Sequence, residues 1–376
     1  MFTVIVFIII LGVLVLVHEL GHFLVARMHG IKADEFGFGF PPRAIGVFKD
    51  EKNGKWKVVK GNKEIVSKNT IYSLNWFPIG GFVKIKGEDG DGKKDSDSFA
   101  GKSAWIRIQV LVAGVLMNFV LAWVLLSATF MIGTYQDVTG TDVSGSKILI
   151  QGIEDGSPAQ KMGLKVGDVL LSGGDVAFAN VESVQKYIKE NKGKEIIISV
   201  ERGNKELQLR GVPREQTETG QGSLGISNFG QVVTTRFSFF ESLWKGLVEI
   251  GTIMFLMFDV IRKLLTGNNA GLTVTGIVGI ASYTGQIIPL GFSLLLRFAA
   301  LLSVNLGIVN VLPFPALDGG RILFILIEKI KGSPVSQKIE QFAHTAGFLV
   351  LITLMVVVTY FDLIRIDIID KIRGIF

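Results

Sequence analysis

The chain has 376 residues, 48% of them hydrophobic, with no cysteine and four histidines. It is too apolar for an ordinary soluble protein and not apolar enough to be all membrane, so a membrane core with at least one soluble module is expected. The absence of cysteine excludes a disulfide framework and a thiolate metal site, and the net charge of +6 is spread so unevenly that it reads as membrane topology, not as a nucleic-acid surface.

The N-terminus has neither a basic n-region nor an Ala-x-Ala cleavage site, so the first apolar run, residues 4–27, is expected to be retained as a span. An ionisable group near the middle of such a helix costs roughly 2.5–3.5 kcal/mol. This one carries His18, Glu19 and His22 in the stretch HELGH. At a spacing of four, both imidazoles leave one face of the helix. Two neutral ring nitrogens so placed can hold Zn²⁺, and Glu19 can take a proton from a water held at the metal. Zinc binding returns on the order of 10 kcal/mol or more, enough to offset burying the three groups. The bland alternatives are chance or polar residues turned to a bundle interior. Of the other two histidines, His29 reads as interfacial and His344 as a polar cap or helix contact.

Residues 27–107 carry 16 Lys/Arg against 10 Asp/Glu. With the basic loop after the third span they are expected in the cytoplasm, which puts both termini outside. Within this loop one hairpin turns at Asn53-Gly54 and a second, more apolar one (residues 71–86) turns at 78–81, followed by the polar linker GEDGDGKKDSDS. The second span is residues 106–133. Residues 148–213 read as a soluble α/β module outside the cytoplasm, with the strand KEIIISVERG, the turn EDGSP and the helix VESVQKYIKEN. In residues 237–265, Glu241, Lys245 and Glu249 fall on one helical face, so an interfacial amphipathic helix is expected there in place of a span. Residues 273–290 are too interrupted by glycine for a span and are read as re-entrant or packed on the core.

The third span, residues 293–312, runs into NVLPFPALDGGR. Pro313 and Pro315 break the helix, and Asp318 is the only carboxylate from 293 to 327. An oxygen ligand there would complete a His₂-carboxylate site with the fourth position open to water; the alternative is a solvated Asp-Gly-Gly turn. Residues 342–361 form the fourth span. The resulting scheme is residues 1–134 (two spans, HELGH and the β-hairpin loop), 135–230 (the soluble module), 231–292 (amphipathic helix and connector) and 293–376 (the last two spans). The fold class is a polytopic α-helical membrane protein of about four transmembrane helices, with a membrane-associated β-hairpin and one extracytoplasmic α/β domain.

HELGH in the first span, the module after the second and NVLPFPALDGG in the third together resemble the site-2 protease family of intramembrane zinc metalloproteases, in its bacterial branch with a PDZ domain. The resemblance implies that His18, His22 and Asp318 hold one Zn²⁺ and that Glu19 is the general base. It implies that Asn310 lies near the metal and contacts substrate or the oxyanion. The apolar hairpin of residues 71–86 matches a membrane-re-entrant β element implied to pair with unwound substrate, with Phe82, Val83, Lys84, Ile85 and Lys86 as the substrate-binding residues. The stretch GSPAQKMGLKVGDVLLSGGDV resembles a PDZ core, implied either to bind a peptide C-terminus or to act as a steric filter. Implied substrates are single-span proteins of the bilayer, such as anti-sigma factors or remnant signal peptides, cleaved in the cell membrane with the site toward the cytoplasm. Arg321, Val115 and Ile277 depart from the family pattern without touching an expected ligand. Competing readings are a non-catalytic PDZ scaffold and a zinc transporter; no nucleic-acid partner is expected.

Overall fold

The computed structural model describes residues 2–63, 65, 67–138, 145–154, 156–203, 205–215, 222–267 and 275–365. In chain order its elements are α1 (Phe2–Met28), β1 (Ala33–Lys49), β2 (Trp56–Lys60), β3 (Ile71–Ile85), α2 (Ala104–Ile132), β4 (Thr134–Asp137), β5 (Lys147–Ile153), α3 (Pro158–Lys161), β6 (Val169–Gly173), β7 (Val176–Ala177) and α4 (Val181–Glu190). There follow β8 (Ile196–Arg202), β9 (Lys205–Gly211), β10 (Ile226–Thr235), α5 (Phe239–Leu265), α6 (Ile277–Ile287), α7 (Phe292–Val311), α8 (Asp318–Lys331) and α9 (Gln337–Arg365). Among the described residues, α1, α2, α7 and α9 are long and apolar enough to cross a membrane. The helix α5 is as long as α1, but its charged residues keep it out of that set. Of the expected EDGSP turn, Asp155 lies outside the described residues, as do positions 273 and 274 of the glycine-rich connector.

Packing divides the chain into two units, Met1–Leu125 with Gly246–Thr284 and Ala299–Phe376, and Leu126–Lys245 with Gly285–Phe298. In the first, α1 buries a stripe holding Leu14, His18, Gly21, His22 and Ala26. Off that stripe, Val4, Ile5, Ile9, Val13 and Leu24 are apolar and exposed. That surface suits lipid and is poorly suited to water.

The strand β1 runs antiparallel to β2, from Ile45 opposite Lys60 to Lys49 opposite Trp56. The reversal falls at the expected Asn53-Gly54, where Gly54 has φ +67° and Lys55 N–H donates to Asn53 Oδ1 at 3.0 Å. The second expected hairpin is different. Glu35 of β1 has Lys84 as partner on one side and Ile71 on the other, and Phe36 has Val83 and Tyr72. The two arms of β3 therefore straddle β1, each pairing with it. A turn signal tells where a chain reverses, not which strand its arms will find. Glycine lets the arms close in: a Cβ at Gly37 would collide with Ser73 Oγ. On the far side β3 lies against α1, where a Cβ at Gly81 would come within 3.0 Å of Leu16 Cα.

The polar stretch after β3, expected as a linker, is anchored. Lys86 Nζ pairs with Asp97 at 2.7 Å and Asp95 at 3.0 Å, and Gln337 Nε2 donates to the Asp89 carbonyl at 2.8 Å. Ser98 and Phe99 are buried, Phe99 in a cluster with Ala26, Ile31, Ile85, Val110, Leu111 and Ile325. At the other end of the unit, the buried Asp362 accepts the Gly276 and Gly279 N–H groups at 2.9 and 2.8 Å and so caps the start of α6.

In the second unit a sheet ordered β4-β10-β5-β6-β8-β9, with β7 on β6, packs against α3 and α4. Its strands alternate: Ile196, Ile198 and Val200 point into a core with Ile148, Ile150, Leu170 and Val184. Asn180 and Ser183 form a capping box at the start of α4. Asp168, fully buried, takes both Nε and Nη2 of Arg202 at 2.6 Å, a bidentate pair that ties β8 to the loop before β6.

Candidate metal centre

Three elements deliver the polar atoms. On α1, His18 and His22 sit one turn apart and both are buried. The helix α7 ends at Val311 because Pro313 and Pro315 cannot continue it, and the chain turns through Ala316 at φ +78°. It re-enters helical structure at Asp318, so this carboxylate occupies the first position of α8, where the helix dipole favours negative charge. Gly319 and Gly320 make the tight return possible. A Cβ at Gly319 would collide with the Val311 and Leu312 carbonyls, and one at Gly320 with the Phe314 carbonyl.

The three converge. Asp318 Oδ2 lies 3.0 Å from His18 Nε2 and 3.4 Å from His22 Nε2, and the two Nε2 atoms are 3.1 Å apart. Ligand atoms of a tetrahedral zinc, each about 2.0–2.1 Å from the ion, stand about 3.3 Å from one another. Asp318 Oδ2 is buried and no donor among the described residues is aligned to hydrogen-bond it. An orphaned carboxylate oxygen against two imidazole nitrogens is what a metal site looks like when its lone pairs are directed at a common point and not at one another. This donor set of two nitrogens and one oxygen fits zinc and leaves room for a fourth ligand.

Glu19 follows His18 on α1, half-buried and within electrostatic range of His18, His22 and Asp318. Asn310, in the last turn of α7, brings Nδ2 to 3.4 Å from His18 Nε2. The structure thus brings His18, His22, Asp318 and Asn310 together, with Glu19 next to His18 on the same helix. Phe82, Val83, Lys84, Ile85 and Lys86 fall on or just after the outer arm of β3, which pairs only with β1 among the described residues. That arm runs into Glu88, which pairs with Arg321, three residues beyond Asp318.

Several neighbours had no signal strong enough to single them out from sequence. His22 Nδ1 lies 2.8 Å from the Val110 carbonyl. A carbonyl only accepts, so the proton sits on Nδ1 and the Nε2 lone pair is free. A Cβ at Gly114 would collide with His22 Nε2, and Asn118 Nδ2 lies 3.1 Å from His18 Nδ1. Val110, Gly114 and Asn118 recur every four residues, one stripe of α2 turned to the two histidines. His344, expected as a cap or contact, accepts the Ala316 N–H at 2.9 Å and so braces the turn that presents Asp318.

Comparison with known proteins agrees with this chemistry. Residues 6–354 match Peptidase family M50. The regulator of sigma-W protease RasP of Bacillus subtilis is 30% identical over 443 residues, covering 96% of this chain and 98% of its own. Zinc metalloprotease RasP of Bacillus licheniformis is 30% identical with 96% and 99% covered. A protein of Agrobacterium fabrum with the provisional name zinc metalloprotease Atu1380 is 32% identical over 380 residues, with 95% and 94% covered. With a zinc-ready donor set at its centre and the family's match along nearly all its length, this chain belongs to peptidase family M50, the site-2 proteases, and is a zinc metalloprotease.

Proposed function

We propose that the protein hydrolyses peptide bonds within or beside the membrane-spanning segment of single-span proteins, with His18, His22 and Asp318 as the zinc ligands and Glu19 as the general base. The observation that carries this reading is the convergence of the three ligand atoms at 3.0–3.4 Å with Asp318 Oδ2 left without a hydrogen bond. Zinc bound there supplies a Lewis acid that polarises the scissile carbonyl and acidifies water. Glu19 takes the proton from the attacking water and returns it to the leaving amine. Asn310 offers Nδ2 as a donor to the oxygen on which negative charge develops.

A substrate helix hides its amides in its own hydrogen bonds, so it must unwind before attack. The outer arm of β3, with Phe82, Val83, Lys84, Ile85 and Lys86, is positioned to take up the freed amides as an added strand. The seven-stranded module resembles a PDZ domain, and it binds or screens the end of a trimmed substrate outside the cytoplasm. The positive-inside bias supports the metal site facing the cytoplasmic side of the cell membrane. The name of the Bacillus subtilis relative, a regulator of sigma-W, supports an anti-sigma factor as one substrate class.

Glu19→Gln tests the core of this reading. Purified in detergent, that variant is expected to keep its zinc while cleavage of a membrane-anchored single-span reporter falls at least ~10²-fold. Wild-type turnover by the variant would remove Glu19 from the mechanism, and zinc retained by a His18, His22 double variant would remove the site.

A further inference from the structure

A zinc-ligating imidazole must offer a lone pair, so its single proton has to sit on the other ring nitrogen. For His22 the Val110 carbonyl secures this. For His18 the group at Nδ1, among the described residues, is the side-chain amide of Asn118, at 3.1 Å, turned with Nδ2 toward the ring. Taken so, an amide N–H donates to Nδ1 and drives the proton onto Nε2, where zinc would bind. The zinc reading speaks against that orientation, because a ligand at Nε2 leaves its proton on Nδ1 and that proton needs an acceptor. In that orientation Asn118 Oδ1 is also buried with no hydrogen bond among the described residues.

The two ends of an amide have nearly the same shape, and only hydrogen bonding distinguishes them. Exchanging them places Oδ1 against Nδ1, where it accepts Nδ1–H. Asn118 Oδ1 then accepts a hydrogen bond and the Nε2 lone pair is free for the metal, while Nδ2 takes the buried position that Oδ1 held. Asn118 is fully buried, its own carbonyl accepts the Ser303 hydroxyl at 2.8 Å, and a Cβ at Gly307 would sit 3.5 Å from its Cβ. The side chain is therefore held at His18 by α7 as well as by its own helix.

We infer that Asn118 is a positioning residue: its amide oxygen accepts the Nδ1 proton of His18 and thereby keeps Nε2 free for zinc. The stripe on α2 then has one task in three parts, with Val110 orienting His22, Gly114 making room for it and Asn118 orienting His18. The inference rests on the reading of His18 as a zinc ligand.

The test is metal binding by the full-length protein in detergent, read by competition with a chromophoric chelator and by the visible spectrum of the cobalt-substituted form. Asn118→Leu keeps the volume and removes the acceptor; it is expected to weaken zinc binding ~10–100-fold and to alter the cobalt bands, with the same melting profile in the metal-free state. Asn118→Asp restores an acceptor and is expected to hold zinc within a few-fold of wild type with the wild-type cobalt spectrum. Native affinity in Asn118→Leu, or equal loss in both folded variants, would overturn the inference. If Asn118→Leu does not fold, the long-range ¹H–¹⁵N histidine spectrum of the zinc-loaded wild type decides. A proton on His18 Nδ1 supports the assignment, and zinc bound through Nδ1 refutes it. His18→Ala separates the two readings: unchanged zinc binding there removes the ligand role itself, whereas loss there with native binding in Asn118→Leu removes only the role of Asn118.

Discussion

His344 on α9 accepts the backbone N–H of Ala316 at 2.9 Å, so a residue far from the metal in sequence sets the turn from which Asp318 emerges. The same ring packs against Phe324 at 5.5 Å between centroids. Replacing it by Phe keeps the ring contact and orphans the N–H, at a cost of about 1–3 kcal/mol. His344→Phe is expected to lower zinc affinity several-fold and cleavage with it, while His29→Gln leaves both unchanged. Zinc content after dialysis against a chelator checks this; equal retention in both variants would detach the turn from the metal.

A Cβ at Gly114 of α2 would run into His22 Nε2. Gly114→Ala adds one methyl where no space exists, and zinc affinity is expected to fall at least ~10-fold. Gly251 is a fair control, because it too is helical but a Cβ there meets nothing within 4 Å. Gly251→Ala should leave zinc binding alone and raise stability by about 0.5–1 kcal/mol. Chelator competition and thermal melts of the two variants would read out the contrast.

The buried ion pair between Glu35 and Arg43 gives a pH signature. Burial alone would raise the Glu35 carboxyl, but the hydrogen bonds and charge of Arg43 outweigh it and hold the group below its ordinary value of 4.5. A depressed folded-state value means the stabilisation is fully present above pH 4.5 and is lost as the pH falls below it. Glu35→Gln leaves Arg43 unpaired and is expected to cost up to about 3 kcal/mol at pH 7. The gap to wild type should narrow below pH 4.5. Melting curves at pH 7 and pH 3.5 test it, and a gap that widened on acidification would contradict the sign.

Lys86 N–H donates to the Lys32 carbonyl at 2.9 Å. Alternation along the strand then turns the N–H groups of Val83 and Ile85 away from β1, toward the open edge. A proline at Val83 removes one outward donor while leaving the zinc ligands untouched. Cleavage is expected to fall with normal zinc content, and to fall less for a substrate carrying Gly or Pro near the scissile bond. Equal loss on helix-stable and helix-weak substrates would end the strand-addition reading.

Because the chain has no cysteine, single-cysteine variants report topology without background. A cysteine at Asn53 is expected to react with an impermeant maleimide only from the cytoplasmic side, and one at Asn191 only from outside. Labelling of both from one side would break the span count.

What could be read from sequence follows from distance along the chain. The four-residue spacing of His18 and His22 is a local fact, and a helix turns it into geometry at once. Asp318 was legible because a lone carboxylate beside two prolines stands out in an apolar stretch. Asn118 was not, since one asparagine in a span has many uses and its contact with His18 bridges 100 positions. The arms of β3 were misread for a related reason. Gly80 and Gly81 announce a reversal, but that both arms would choose β1 depends on strands some forty residues upstream.

The glycines at the contact of α1 and α2 also bear on how a peptide gets in. A Cβ at Gly21 would collide with the Ala113 carbonyl, and one at Gly114 with the His22 ring. Backbones that touch at glycine distance leave no seam for a chain about 10 Å across. That flank is a closed wall. A peptide that reaches His18, His22 and Asp318 is therefore expected to come from a side other than this one, so that its direction of approach would be set before any side chain on it is read.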